Sequence, residues 1–344
     1  MSKRLSKTTE RNGVVVLKEL ADQAIAKHSS QIFKHEAGVL KDKDPEDLHQ
    51  MRVGLRRLQS AIASFAWAMN LPEIVTVKKL AKIGHSLGAL RDLDVLLEVL
   101  SNNYRPLLSA KEQKNLDKAI KSLGKRRKDK FKQVHKTLNS KFYLDLKQEL
   151  KDWLKRPNYR VSGEYALDFV LPDLLLPSVS EFLLHPGWLV GVELKEGKIE
   201  FPTVSNMEGT DRLLELEATF LHDLRKSAKK TRYSLELFAQ FYGKSYHHYL
   251  KQIEAVQEIL GQIQDIHVLI EVLEKVLRLG SAYASRSPIA EKMPELADLL
   301  LKTRYQKWLE WQILQKQFLE VQTRQKLRQD IQNVLDNQKL TNNN

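Results

Sequence analysis

Two histidine-led rows of cations, one in each half of the chain, hold the side chains of this sequence that are best suited to chemistry. His49-x-x-Arg52-Val53-x-x-Arg56-Arg57 is matched by His222-x-x-Arg225-Lys226-x-x-Lys229-Lys230. At the same offset along the chain Leu87-Gly88-x-x-x-Asp92 is matched by Leu260-Gly261-x-x-x-Asp265. Guanidinium and ammonium groups three and four residues apart share one helix face and offer an anion several charge-assisted donors. A histidine heading each row can bond a phosphate and gain charge on doing so, which would tighten binding at mildly acidic pH. The alternative for each histidine is a bond to a neighbouring helix that fixes a bundle.

The rows require helices to carry them. Asp44-Pro45-Glu46-Asp47 reads as a helix start: an N-cap, a proline at the first helical position and acids at the positive end of the dipole. Met51, Leu55, Leu58, Ile62, Phe65 and Met69 then recur as an apolar seam, and Leu224, Ala228, Thr231, Leu235, Phe238 and Tyr242 repeat it. His49, Arg52 and Arg56 form a stripe about 100° round the helix from that seam, as do His222, Arg225, Lys229 and Arg232. A row of cations beside a seam is ordinarily a solvated face. Here Leu48 to Asn70 contains no Asp or Glu to partner it. Further cations follow: Lys78, Lys79 and Lys82 lead into His85, and Lys121 to Lys132, including Lys125 and Arg126, sets seven cations against Asp129. Lys251 and Arg304 add to the set in the second half. Several cationic helices in one bundle repel one another unless an anion lies among them.

The 344 residues allow two domains of ordinary size, and a hydrophobic fraction of 42% permits a core in each. Helical periodicity covers two segments, read as residues 14–155 and 211–336, each about four helices. Between them, residues 156–210 hold five of the ten prolines and five of the fourteen glycines, which excludes long helices from most of that stretch. Within it, Gly187 to Phe201 predicts a β-hairpin turning at Lys195–Lys198, and Trp188 is expected to pack against a bundle rather than to anchor a partner. Met1 to Gly13 and Leu335 to Asn344 read as frayed, polar ends. A net charge of +13 and a pI near 9.5 favour a polyanionic partner. Cysteine is absent, and no apolar run of about 18 residues occurs to span a bilayer. The expectation is a soluble, cytoplasmic protein with no membrane partner, no cofactor and no metal.

These residues carry a resemblance. Pro45-Glu46-Asp47-Leu48-His49-Gln50-Met51-Arg52-Val53-x-x-Arg56-Arg57-Leu58, Leu87-Gly88-x-x-Arg91-Asp92-x-Asp94-Val95 and His222-x-x-Arg225-x-x-x-Lys229-Lys230-x-Arg232-Tyr233 closely resemble the CHAD family of histidine-bearing α-helical domains, across roughly Val14 to Asp336. The stretch Phe182 to Gly191 looks like the cyanobacterial branch of that family. The resemblance implies an all-α fold: two four-helix bundles related by a pseudo-two-fold axis, with basic side chains lining a central groove or pore that binds inorganic polyphosphate. It also implies a possible place at polyphosphate granules and a separate polyphosphate-metabolising enzyme as partner.

Two rivals are weighed on the residues. Single-strand nucleic-acid binders interleave cations with exposed aromatic platforms, whereas Phe65, Phe238 and Tyr242 fall in the seams and only Tyr233 approaches the stripe. Weak, non-specific nucleic-acid binding is the expectation. A metal-dependent polyphosphate or triphosphate hydrolase needs a phosphate cradle and metal-holding carboxylates. The sequence has no G-x-x-x-x-G-K-[ST] motif, and Asp94 becomes His267 in the repeat. Asp92 and Asp265 are therefore expected to bridge to basic residues of adjacent helices, and the protein is expected not to be an enzyme.

Overall fold

The fold was obtained as a computed structural model, which describes residues 15–202, 206–278 and 287–334. The expectations for Met1 to Gly13 and Leu335 to Asn344 lie outside the described residues. Among the described residues the protein is all-α apart from one small hairpin. The first half comprises α1 (Leu17–Lys41), α2 (Pro45–Phe65), α3 (Val77–Glu98), α4 (Ala110–Leu138) and α5 (Lys141–Lys155). A π-helical turn and a 3-10 turn over Val99–Leu107 join α3 to α4. The second half comprises α6 (Leu167–Leu183), β1 (Glu193–Lys195), β2 (Lys198–Glu200), α7 (Met207–Leu216), α8 (Ala218–Phe238), α9 (Lys244–Arg278), α10 (Pro288–Lys292), α11 (Pro294–Leu319) and α12 (Val321–Gln332).

The helix starts follow the capping chemistry. Asp44 accepts a bond from the Glu46 amide at 2.8 Å and Pro45 opens α2. All twelve seam residues are buried. α2 and α8 begin and end at equivalent positions of the repeat, Pro45 with Ala218 and Phe65 with Phe238, and the two helices pack against each other. Phe65 meets its repeat equivalent Phe238 edge-on at 5.6 Å. Contact between equivalent residues is what a two-fold relation requires near its axis, so an approximate axis passes between α2 and α8. A second seam joins the halves further out, where the two hairpin-like ends share a smaller apolar cluster including Leu116, Leu123, Leu273 and Leu296. There Glu112 accepts from the amides of Glu295 and Leu296, and Glu295 accepts from the amide of Ser109. Each carboxylate thus satisfies orphan amides at the other half's helix start.

The exclusion of long helices from residues 156–210 fails at α6. Pro172 and Pro177 lie inside this 17-residue helix. The apolar residues Leu167, Val170, Leu171, Leu175, Val179 and Phe182 are buried, and α6 packs on α8 and α12 as α1 packs on α2 and α5. Burial of an apolar face outweighs the roughly 3 kcal/mol that each interior proline costs. α6 is thus the opening helix of the second bundle, and the true insertion is the segment from Pro186 through α7.

The hairpin forms, shorter than expected. Its strands pair Glu193 with Glu200 and Lys195 with Lys198, and both turn residues, Glu196 and Gly197, have positive φ. That is the primed turn geometry whose twist suits two-residue hairpins. Gly187 to Leu189, expected as strand, is a 3-10 turn. Trp188 is buried, stacks on Trp311 at 5.2 Å and Phe318 at 5.1 Å, and donates its indole N–H to the Phe182 carbonyl at 2.7 Å. The tryptophan anchors the insertion to α11 and presents nothing outward.

Candidate functional site

The stripes of α2 and α8 meet across the approximate axis. Arg52 and Arg56 from α2 and Arg225 and Arg232 from α8 surround Lys229 closely enough to bear on its ionisation. Arg56 and Lys229 are equivalent in the repeat, as are Arg52 and Arg225. The two halves therefore contribute matched cations to a single place. Burial first, then these four guanidinium groups, pull the Lys229 ammonium down to about 7. Tyr233 forms an aromatic wall, with the guanidinium of Arg232 at 4.8 Å and that of Arg56 at 6.0 Å from its ring centre.

Glycines in the flanking helices let the arginines in. A Cβ on Gly88 of α3 would stand 2.5 Å from Nη1 of Arg52, and one on Gly261 of α9 would stand 3.1 Å from Nε of Arg225. The repeated Leu-Gly motif makes room for an arginine of the neighbouring helix. Four residues on, Asp92 lies 3.8 Å from Arg52. Burial raises the Asp265 carboxyl, with Asp92 adding to the rise and Arg225 opposing it. The expected pairing with a basic residue of a neighbouring helix forms at Asp92, whereas Asp265 makes no ion pair among the described residues and is close enough to Arg225 and Asp92 only for their charges to bear on it.

His49 and His222 sit at the heads of the stripes. Burial is the largest cause lowering each imidazole, opposed at His49 by Glu46 and reinforced by Arg91, Arg56 and Arg52. At His222 the further lowering comes from Lys226, Arg225 and His267, with Asp223 opposing. Among the described residues, Nη1 of Arg52, Nε of Arg56, Nε of Arg225, Nε of Arg232 and Nδ1 of His222 are buried without a hydrogen-bond partner. Such groups are rare in folded proteins and call for an explanation. The cluster holds more positive charge than its carboxylates neutralise, an arrangement that an incoming polyanion stabilises.

Other expected cations lie elsewhere. Arg57 is 3.8 Å from Glu236 and lines a cleft of about 440 Å³ with Lys27, His28 and Tyr233. Arg232, besides its place by Tyr233, is paired with Glu236 at 3.1 Å and with Glu254. Lys230 pairs with Glu181 of α6 at 2.6 Å, on a different face of α8 from Lys229. Arg304 is a correction: it is 1% exposed and holds Asp211 of α7 at 2.5 Å. It clamps the insertion to α11 and is not a free cation. Lys79 donates to the Glu73 carbonyl ahead of α3. Lys78 and Lys82 are exposed on α3, Lys125 and Arg126 on α4 and Lys251 on α9, and none of these five makes an ion pair among the described residues. They lie outside the set that surrounds Lys229.

Arg91, which bears on both His49 and Arg52, belongs to the site although the paired pattern did not select it. Its counterpart in the repeat is Gln264, so repetition carried no signal there. Asp94 is structural: with Asp42 it holds Arg127 in a three-way ion pair at 2.6 Å. Among the described residues no three His, Cys, Asp or Glu side chains are grouped to hold a metal, and no helix is long and apolar enough to cross a membrane.

Comparisons with known proteins agree with this architecture. The chain is similar to a solved structure described as the CHAD domain from the plant Ricinus communis, at 23% identity over 93% of this chain and 92% of that one, with a TM-score of 0.55. It is also similar to PptA from Streptomyces chartreusis, at 13% identity over 88% of this chain and 100% of that one, with a TM-score of 0.59. No curated protein matches it. The family model of the CHAD domain matches residues 23–274, a span that includes both histidine-led stripes and both Leu-Gly motifs, and the chain accordingly belongs to the CHAD domain family.

Proposed function

We propose that the central cluster binds inorganic polyphosphate without turning it over. The observation that carries this reading is the convergence of repeat-related cations, Arg52 with Arg225 and Arg56 with Lys229, on one place between the halves. A flexible chain with about one negative charge per phosphate binds such a site by releasing counterions, and arginine adds forked contacts to phosphate oxygens that lysine cannot make. Membership of the CHAD family and the resemblance of the motifs point the same way. The stretch Phe182 to Gly191 supports a place in the family's cyanobacterial branch. A cytoplasmic role at polyphosphate granules, beside a separate polyphosphate-metabolising enzyme, follows from the same reading. Nucleic acid is a weaker fit, because Tyr233 is buried beneath two arginines rather than offered for stacking.

The test is a titration of the protein with long-chain polyphosphate, tripolyphosphate and single-stranded DNA at several salt concentrations. Affinity should rise with polyphosphate length, exceed that for DNA and fall with salt. Charge reversal at Arg52, Arg56, Arg225 and Lys229 should abolish binding with the helical circular-dichroism signal retained. Equal affinity for DNA, or no dependence on length, would refute the reading. Incubation with polyphosphate and a divalent metal should release no orthophosphate; release would restore the hydrolase alternative.

A further inference from the structure

A second concentration of positive charge lies on another side of α3. Lys82 is six residues before Gly88, which places it about 120° round the helix from the face that receives Arg52. Lys82 and His85 of α3 line a cleft of about 500 Å³ together with Lys130 and Lys136 of α4. Ser86 and Thr137 also line it, their hydroxyls hydrogen-bonded at 3.0 Å. No carboxylate is among its lining residues, and α3 carries no acid from Val77 to Arg91. Lys82, His85, Lys130 and Lys136 make no ion pair among the described residues; Lys130 donates only to the Gln133 side chain, at 3.1 Å.

The fold does not require this charge. The second half builds the same helix pair from α9 and α11, which also pack together. In α9 the repeat equivalents of Lys82 and His85 are Ala255 and Glu258. In α11 the buried Leu300 and Trp311 take the places that the buried Leu123 and Val134 hold in α4, at one constant offset, so the counterparts of Lys130 and Lys136 are Lys307 and Ile313. Lys307 is neutralised by Glu310 at 2.8 Å. The central cluster is duplicated with the fold, whereas the α3–α4 cleft gathers uncompensated lysines in one half only. Gathering like charges is unfavourable unless an anion joins them.

We propose that the α3–α4 cleft is a second anion site that takes a short condensed phosphate of the tripolyphosphate class. Lys130 and Lys136 are six residues apart, about 9 Å along α4, with Lys82 and His85 on the adjoining helix. That spread suits an elongated anion with several charges rather than a single orthophosphate. Lysines act as point charges without arginine's fork, so this site is the weaker and the more salt-sensitive of the two. It stands on its own cleft and does not depend on what the central cluster binds.

Calorimetric titration of the full chain with tripolyphosphate at low ionic strength should resolve two classes of site. Lys82→Glu combined with Lys136→Glu should weaken the second class by about tenfold or more, through loss of two ionic contacts, and leave the first class unchanged. Arg52→Gln combined with Arg225→Gln should weaken the first and spare the second, so failure of either site is read separately. Lys82 and Lys136 are exposed, and the melting temperature of their double variant should match that of the parent. If the glutamates disturb folding, Lys82→Gln with Lys136→Gln should still give a smaller loss confined to the second class. A parent protein in which no class of site is weakened by the lysine variants overturns the proposal. So does orthophosphate binding as tightly there, or an oligonucleotide competing as well as tripolyphosphate.

Discussion

At the scale of single residues, Lys229 reports on what the cluster is built to do. Its ammonium is held at about 7 by burial and four arginines, far below the usual 10.5 of lysine. The folded, unliganded protein therefore binds fewer protons than the unfolded chain between about pH 7 and 10.5, and its stability rises with pH across that window. Lys229→Met should stabilise the free protein at pH 6, on the order of 1–3 kcal/mol from relieved repulsion, while weakening polyphosphate binding. A bound polyanion draws the proton back. Binding should take up as much as one proton, and affinity should fall by up to about tenfold per pH unit above pH 7. Calorimetry in buffers of different ionisation enthalpy measures that uptake; no uptake, together with a destabilised Lys229→Met, would show that the lysine is a packing residue. His49 and His222, both lowered by burial, add a further gain in affinity only below their ordinary value of about 6.5. The angular position of the stripe made Arg52, Arg56, Arg225 and Lys229 legible in the sequence. Arg304 was not legible, because its burial depends on Asp211, which lies 93 residues away in sequence. Arg91 stood out only within the family motif and not through the repeat, which Gln264 breaks.

At the scale of helices, the pairing of α2 with α3 and of α8 with α9 depends on glycine where an arginine crosses. Gly88→Ala should raise the helix propensity of α3 by roughly 0.5–1 kcal/mol, yet the new methyl group would stand 2.5 Å from Nη1 of Arg52. The obstacle is the end of a flexible side chain, so the helix should persist and the guanidinium should move. The expected outcome is a melting temperature within a few degrees of the parent and a polyphosphate affinity reduced several-fold. Gly261→Ala, where the nearest arginine atom is 3.1 Å away, should have the smaller effect. A variant that unfolds while any folded fraction keeps full affinity would show that these glycines serve helix packing alone. The helix starts and seams of α2 and α8 were readable because capping and periodicity are local. α6 was hidden by Pro172 and Pro177, whose local penalty is outweighed by burial against α8 and α12 that composition cannot display.

At the scale of the whole molecule, the two halves share one apolar core, with the arginine–lysine cluster on their boundary. The larger apolar core runs through both, from Leu17 and Met51 to Leu224 and Phe318, and the reciprocal carboxylate caps of Glu112 and Glu295 close the outer seam. The internal repeat announced two similar halves, but which equivalent residues touch was settled only by the packing of α2 on α8. A ligand that needs cations from both halves binds the joined state and not the separated one, so it stabilises by mass action, about 2.7 kcal/mol at a concentration one hundred times its Kd. Thermal unfolding should therefore be one transition, shifted upward by long-chain polyphosphate and by less at high salt. Phe238→Ala opens the seam where Phe65 meets its equivalent and should cost about 3–5 kcal/mol of stability. Its loss should be partly restored by polyphosphate, because the ligand ties α2 to α8 across the gap. Two separate transitions in the parent protein, or a polyphosphate shift that is the same with Arg52 and Arg225 both changed to glutamine, would mean that the halves fold independently and that the anion is held by one of them.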